Sequence, residues 1–140
     1  MQVLYTAEAT AYGGRTGRVT SDDDRLDVAL SVPKGMGGDD GDGTNPEQLF
    51  AGSFAACFHA AMKLVARKMS LDTTDSTVTA RVSIGPSESG VGYGLSAELV
   101  VALPKVEDRS AAEGLVEMTH KVCPVSNATH GNIDVQLTLA

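Results

Sequence analysis

The fold of this chain follows from one stretch, residues 45–69, which reads NPEQLFAGSFAACFHAAMKLVARKM. Asn45 is a good N-cap, and Pro46 fits the first helical position, where its missing N–H costs nothing. Apolar side chains then recur every three or four residues, and most of the remaining side chains are small. The stretch therefore predicts a long helix, ending near Met69, that is central and buried because its neighbours can approach closely.

Strand patterns surround this helix on both sides. Six strands are predicted, at residues 2–12, 15–21, 26–32, 73–84, 95–103 and 132–140. A second helix precedes the last strand, because Ser110 as N-cap and Glu113 three residues later form a capping box. It should end near Val122, since Pro124 cannot continue a helix. Helices between runs of strands indicate the α+β class, and we expect one domain spanning residues 1–140.

A glycine- and aspartate-rich loop, residues 35–43, separates the third strand from the long helix. Its aspartates would repel a phosphate, and it lacks the Gly-Lys-Ser/Thr end of a phosphate-binding loop. It does not match the calcium-binding pattern either. We therefore interpret it as a flexible surface loop.

Composition limits the classes of partner. The net charge is −7 at pH 7, which disfavours nucleic acid, where affinity comes from Lys and Arg neutralising phosphates, and disfavours anionic lipid surfaces. The first residues lack the basic and apolar regions of a signal peptide, and we see no apolar run long enough to span a bilayer. We therefore expect a cytoplasmic protein without nucleic-acid or membrane partners, whose thiols stay reduced at rest.

Two cysteines, Cys57 and Cys123, carry the strongest functional indication. They lie 66 residues apart and are the only two in the chain, which is too sparse for a disulfide framework of the secreted kind. Two isolated thiols in a cytoplasmic domain suggest redox chemistry, with one cysteine attacking and the other resolving. The alternative is that both are free cysteines of the core, because Cys is among the most buried residue types.

Cys57 is predicted to lie in the middle of the long helix, so the helix dipole cannot lower its pKa. A reactive thiolate there needs a cation from another segment, and Arg15, in a glycine-flanked turn, is a suitable donor. Glu47 lies ten residues before Cys57, which is roughly 15 Å along a straight helix. If Glu47 serves a Cys57 site, it most simply serves the one in another subunit, at a dimer interface.

A zinc site is a competing interpretation, with Cys57, His59, His120 and Cys123 as ligands. His59 is two residues from Cys57 and on a nearly opposite helix face, so both cannot easily point at one ion. His120 and Cys123 span a helix end and could converge. We expect no metal, and interpret His120 and His130 as surface or capping residues.

Four long segments carry a family resemblance. They read VLYTAEATAYGGR (residues 3–15), LSVPKGMGG (residues 30–38), GTNPEQLFAGSFAACF (residues 43–58) and VCPVSNATHGNIDVQL (residues 122–137). They resemble the organic hydroperoxide resistance proteins, the Ohr branch of the OsmC/Ohr superfamily, in order and over essentially the whole chain. The resemblance implies an OsmC-like fold, with antiparallel sheets wrapped around a central long helix, in an intertwined homodimer with two sites at the interface.

The same resemblance implies a thiol peroxidase that reduces alkyl and fatty-acid hydroperoxides during oxidative stress, without a metal or organic cofactor. By matching position, Cys57 resembles the peroxidatic cysteine and Cys123 the resolving cysteine, which together form a disulfide during turnover. Arg15 resembles the arginine that stabilises the thiolate, and Glu47 the glutamate that holds this arginine. The implied reductant is a dihydrolipoyl dithiol, such as dihydrolipoamide or a lipoylated protein.

One position departs from the family pattern, because Val125 stands where a tyrosine usually follows Cys-Pro. We expect this change to alter pocket packing or contact with the reductant. Arg18 does not match the family's position, so we assign it a structural role. Candidates for an apolar substrate wall, each of which could equally be a plain core residue, are Phe50, Phe54, Phe58, Met36 and Pro33.

Two rival functions remain open at the level of sequence. A ligand carrier on the same fold predicts tight binding of apolar molecules, with both cysteines dispensable. A structural dimer with core cysteines predicts two thiols that react slowly with peroxides and have unshifted pKa values.

Overall fold

The computed structural model describes all 140 residues and divides into two compact units, residues 1–49 and 50–140. The first unit contains a three-stranded antiparallel sheet in the order β1 (Ala9–Tyr12), β2 (Arg18–Ser21) and β3 (Asp27–Ala29). The long helix α1 spans Pro46–Lys68, so its first turn belongs to the first unit and the rest to the second. The predicted helix is confirmed to within one residue at its end.

The second unit holds the remaining elements: β4 (Thr77–Pro86), β5 (Tyr93–Ala102), α2 (Arg109–Val122), α3 (Pro124–Thr129) and β6 (Asp134–Leu139). β4 and β5 form the predicted antiparallel hairpin. β6 pairs parallel to β5, on the side away from β4. The prediction of antiparallel sheets is therefore wrong for the β5–β6 pair. The strands are parallel because α2 and α3 return the chain to the end of the sheet where β5 begins.

The first strand is shorter than the sequence predicts. β1 begins at Ala9, opposite Ser21, and residues 1–8 form no strand and are exposed. A strand needs hydrogen-bonding partners, and β2 ends at Ser21; before Ala9 only the Glu8 carbonyl has a backbone partner, the Asp22 N–H at 3.1 Å. β2 also begins later than predicted, at Arg18, because Gly14–Thr16 forms a short 3-10 helix.

The loop at residues 35–43 is tied at its base. The backbone N–H of Ser31 donates to the Thr44 carbonyl, and the Thr44 N–H donates to the Ala29 carbonyl, each at 2.9 Å. The Gly43 N–H donates to the Ser31 hydroxyl, also at 2.9 Å. Most of the loop is exposed, as the prediction of a surface loop requires, but hydrogen bonds close its base and it begins with a 3-10 helix, Lys34–Met36.

The two helix caps differ in how well the sequence predicts them. Asn45 Oδ1 accepts the backbone N–H of Gln48 at 2.8 Å, which confirms it as the N-cap of α1. The N-cap of α2 is Asp108, whose carboxylate accepts the N–H of Ser110 at 3.0 Å. The predicted capping box from Ser110 to Glu113 is wrong, because Asp108 is an equally good cap and starts the helix two residues earlier.

The core of the second unit lies between α1, β5 and α2. Its largest fully buried side chains are Phe54, Phe58, Met62, Leu99, Leu115 and Val101. The opposite face of α1 is exposed in the single chain and carries Gly52, Ser53, Ala56, Ala60 and Leu64. The prediction of a buried helix therefore holds for one face within this chain.

The expectation that no apolar stretch could span a bilayer is wrong on length and composition. By length and composition alone, the helix Pro46–Lys68 is long and apolar enough to cross a membrane, and 28% of its most apolar stretch is buried. The same helix contributes six buried residues, including Phe54, Phe58 and Met62, so part of its apolar character is used in the core.

Candidate active site

An ion pair joins Arg15 to Glu47 in the first unit. Arg15 Nη1 donates to Glu47 Oε2 at 2.8 Å, and Nη2 donates to Oε1 at 2.6 Å. The carboxylate side chain is 14% exposed and the arginine side chain 34%. Two parallel hydrogen bonds fix the plane of the guanidinium as well as its distance, so the pair holds a cation in a defined orientation.

Local sequence places both partners. Arg15 lies in the 3-10 helix between β1 and β2, entered through Gly13 and Gly14, which have φ of 75° and 56°. A side chain at these φ values is strained, so glycine suits this turn. Glu47 lies in the first turn of α1, where the helix dipole favours a carboxylate. Arg15 lowers the pKa of Glu47 below its ordinary value, and Glu47 raises the pKa of Arg15, so both are charged near neutral pH.

The Arg15 turn depends on a close backbone approach at Gly17. A Cβ at Gly17 would overlap the carbonyl oxygen of Tyr12 and lie 2.7 Å from Gly13 Cα. We expect Gly17→Ala to destabilise the fold by about 2 kcal/mol, because neither contact is with a flexible side chain. Thermal unfolding measures this loss, and Gly35→Ala is the matched control, because a Cβ there meets nothing within 4 Å. An unchanged melting temperature for Gly17→Ala would contradict the tight turn.

The two cysteines are neighbours in the second unit. Cys57 is half-buried on α1, and Cys123 is fully buried between α2 and α3. Both are free thiols, and Cys123 lies close enough to Cys57 to raise the pKa of its thiol. Packing therefore brings together two sulfurs that are 66 residues apart in sequence.

Burial raises the pKa of the Cys57 thiol above its ordinary value. The backbone N–H of Val125 acts in the opposite direction, by donating toward the sulfur, and Cys123 raises the pKa further. None of these contributions comes from a cationic side chain, so the contacts of the second unit favour the protonated thiol. The stabilisation of a Cys57 thiolate by Arg15 remains a prediction.

Arg18 makes a separate ion pair. Its Nε donates to Asp27 Oδ1 at 2.6 Å, across the β2–β3 pair, and both side chains are well exposed. It resembles the Arg15 pair in chemistry but joins two strands of the sheet, whereas Arg15 lies in a 3-10 helix and Glu47 in α1. Arg18 is therefore a matched control for the arginine of the candidate site.

The predicted substrate-wall residues fall into three environments. Phe54 and Phe58 are fully buried core residues, which supports the alternative that they only pack the core. Phe50 is half-buried and meets the Phe54 ring edge-on, with centroids 6.0 Å apart. Pro33 and Met36 flank and end the 3-10 helix of the first unit, and Met36 is 37% exposed. Contact of any of them with substrate stays a prediction.

Two of the three histidines form side-chain hydrogen bonds with serines. His59 Nε2 bonds the Ser76 hydroxyl at 2.9 Å, and His120 Nδ1 bonds the Ser126 hydroxyl at 2.9 Å. No group of three or more His, Cys, Asp or Glu side chains is placed to hold a metal ion, so the zinc alternative has no ligand set here. His130 is exposed at the C-cap of α3.

The sequence patterns did not predict α3 or the buried Ser126 within it. A signal was present, because Pro124 follows the end of α2 directly and proline suits the first position of a new helix. Cys123 thereby becomes both the C-cap of α2 and the N-cap of α3. The candidate resolving cysteine sits at a corner between two helices, where both sides of the chain are held.

The fold and these motifs match known proteins. The sequence profile of the OsmC-like protein family matches residues 38–138, and the chain belongs to that family. Its place within the family is the organic hydroperoxide resistance branch, as its sequence motifs predict. It is 52% identical, over 139 residues, to the organic hydroperoxide resistance protein of Xanthomonas axonopodis pv. citri, covering 99% of this chain and 96% of the relative.

Solved structures agree with the α+β fold. The organic hydroperoxide resistance protein OhrB of Bacillus subtilis superposes with a TM-score of 0.89 at 43% identity, covering 99% of this chain and all of that one. The organic hydroperoxide resistance protein of Elizabethkingia anophelis gives 0.92 at 48% identity, covering 100% and 99% of the two chains. The family's function is a redox function in organic hydroperoxide resistance, which is consistent with an organic hydroperoxide as substrate.

Proposed function

We propose that this chain is a cysteine-based peroxidase that reduces alkyl and fatty-acid hydroperoxides to alcohols in the response to oxidative stress. The observation that carries the proposal is the proximity of Cys57 and Cys123, the only two cysteines of the chain. Two isolated thiols that lie close together suit a cycle in which one is oxidised and the other resolves it. The redox function of the family supports the same conclusion.

The first step is attack of the Cys57 thiolate on one peroxide oxygen. The S–O bond forms as the O–O bond breaks, sulfur is oxidised by two electrons, and the leaving alkoxide takes a proton and departs as the alcohol. In the second step the Cys123 sulfur attacks the Cys57 sulfenic acid. The S–S bond forms, the S–O bond breaks, and water leaves with the Cys123 proton.

The Arg15–Glu47 pair is assigned to the first step. A guanidinium beside Cys57 would lower the pKa of this thiol, which burial otherwise raises. Glu47 keeps the guanidinium oriented through two hydrogen bonds. Because Glu47 and Cys57 are ten residues apart on α1, about 15 Å along the axis, the pair most simply serves Cys57 of a second subunit.

A homodimer is therefore part of the proposal. The exposed face of α1, with Ala56, Ala60 and Leu64, leaves small and apolar side chains in water, and Leu64 is 57% exposed. The N-terminal residues Leu4 and Tyr5 are also apolar and exposed, at 94% and 80%. A second copy that covers the α1 face and pairs with residues 1–8 would bury both surfaces.

We expect Ala60→Glu to dissociate the dimer, because an unpaired carboxylate at the interface is costly to bury. The dissociation constant should rise by at least about 100-fold, as measured by light scattering at several protein concentrations. Lys68→Glu, at the exposed end of α1, is the control and should leave the mass of two chains unchanged. A wild-type protein with the mass of a single chain would contradict the proposed assembly.

Reduction of the Cys57–Cys123 disulfide is assigned to a dihydrolipoyl dithiol, from dihydrolipoamide or a lipoylated protein. One thiol of the reductant attacks the disulfide to give a mixed disulfide, and its second thiol closes a ring and releases the enzyme. Disulfide exchange of this kind suits a reducing compartment, so we propose a cytoplasmic location. Val125 lies two residues after Cys123 in sequence, and its identity should affect this exchange.

The proposal is tested by the intact mass of the protein before and after one equivalent of cumene hydroperoxide. We expect the loss of two hydrogen atoms, located by peptide mapping between Cys57 and Cys123. The ligand carrier and the structural dimer both predict an unchanged mass. An unchanged mass together with full recovery of the peroxide would exclude the peroxidase.

A further inference from the structure

The corner that carries Cys123 is held by backbone hydrogen bonds on both sides. The Cys123 N–H donates to the Thr119 carbonyl at 2.9 Å, and its carbonyl accepts the Asn127 N–H at 3.0 Å. Through these bonds Cys123 belongs to the backbone hydrogen-bond pattern of both α2 and α3. They do not by themselves fix the angle between the two helices, because each bond lies on one side of the corner.

One side-chain hydrogen bond crosses the corner. His120, three residues before Cys123, bonds through Nδ1 to the hydroxyl of Ser126, three residues after it, at 2.9 Å. Ser126 is 1% exposed, and no buried polar side-chain atom of the chain lacks a partner. Breaking this bond would leave the buried Ser126 hydroxyl without a partner, which costs free energy. The bond therefore favours the closed corner.

Ser126 is itself fixed by α3. Its carbonyl accepts the Thr129 hydroxyl and the His130 N–H, each at 3.0 Å. Burial, followed by the charge of His130, lowers the pKa of His120, so its ring is neutral near neutral pH. A neutral imidazole can bond the Ser126 hydroxyl in either tautomer, as donor or as acceptor.

We propose that the His120–Ser126 hydrogen bond is a positioning device for the resolving step, which holds the Cys123 sulfur against Cys57. This inference rests on the proposed peroxidase function and assigns a second pair of residues to its second step. Disulfides form within a narrow range of backbone separations, so a corner that opens slows the attack of Cys123 on the Cys57 sulfenic acid. His120 acts through Ser126 and touches no reacting atom in this scheme.

The test separates the two steps in time. The protein is mixed with one equivalent of cumene hydroperoxide, quenched with dimedone and an alkylating agent, and analysed by mass for sulfenic acid and disulfide. We expect His120→Leu and Ser126→Ala to slow disulfide formation by about tenfold, the order of one hydrogen bond. Their combination should slow it no further. Excess peroxide should yield more Cys57 sulfinic acid in these variants, because the sulfenic acid persists longer.

Two variants distinguish positioning from general loss of structure. His120→Asn places a polar atom near the position of Nδ1 and should restore most of the resolving rate. His59→Leu removes a hydrogen bond of equal length, to Ser76, close to Cys57 but outside the corner, and should resolve at the wild-type rate. Ser126→Ala is a small change and remains informative even if His120→Leu folds poorly.

The outcomes are distinct. Normal resolution in both His120→Leu and Ser126→Ala, or equal slowing in His59→Leu, overturns the positioning role and leaves the peroxidase intact. A wild-type protein that forms neither sulfenic acid nor disulfide with the hydroperoxide overturns both proposals together.

Discussion

Cys57→Ser is expected to lower hydroperoxide turnover by about 1,000-fold or more, because a serine hydroxyl at this position has no anionic form near neutral pH and no base beside it. The measurement is consumption of cumene hydroperoxide with dihydrolipoamide as reductant. Serine is nearly the size of cysteine, and Cys57 is half-buried rather than fully buried. The variant should therefore fold, and its loss of turnover should reflect the missing thiolate rather than misfolding.

Cys123→Ser is the informative companion variant. It retains the attacking thiol, so it should consume one equivalent of peroxide and give a sulfenic acid at Cys57 that dimedone traps. Turnover should then stop. When peroxide is in excess, the Cys57 sulfenic acid should be oxidised further to the sulfinic acid. Wild-type turnover by Cys57→Ser would contradict the proposed function, and would favour the ligand carrier or the structural dimer.

Arg15→Met has the second largest expected effect, a fall of about 100-fold in the rate of peroxide reduction near neutral pH. Burial raises the pKa of Cys57, and the guanidinium is the cation proposed to lower it again. Because the thiolate is the reactive form, the rate of peroxide reduction rises with pH as Cys57 ionises. Losing the cation should therefore move the midpoint of the pH profile upward, and alkaline pH should recover part of the lost rate.

The pH profile separates loss of ionisation from misfolding, since a misfolded variant would not recover at alkaline pH. Arg18→Met is the matched control, because Arg18 forms a similar 2.6 Å ion pair with Asp27 on neighbouring strands. Its profile should stay at the wild-type midpoint. Glu47→Gln should shift the midpoint in the same direction as Arg15→Met but by less, because the guanidinium remains while its orientation is loosened. An unshifted profile for Arg15→Met would remove Arg15 from the first step.

The sequence predicted the long helix well, because every signal for it is local. Asn45 and Pro46 set its start, and apolar spacing over six turns sets its length. The hairpin of β4 and β5 was predictable from its β-branched residues, but β4 begins at Thr77, four residues later than predicted, and β5 begins at Tyr93, inside the predicted turn. The start of α2 was missed because two good capping residues, Asp108 and Ser110, compete within three positions, and sequence alone does not rank them.

The candidate site also has a part that the sequence predicted and a part that it did not. Arg15 and Glu47 were identified from motifs in sequence, and the structure brings them into a bidentate pair. His120 and Ser126 were not paired in advance, because their contact requires α3, which was not predicted. The direction of the Cys57 pKa shift could not be predicted from the sequence either, since it depends on burial and on the Val125 N–H.

By itself, the sequence determined the local elements of this protein and its family, because caps, periodicity and motifs are properties of neighbouring residues. Tertiary structure decided which face of α1 is buried, that β6 runs parallel to β5, and that Cys57 lies near Cys123. These features depend on which distant segments pack together. A pattern of apolar residues specifies that a face is buried but not which partner covers it.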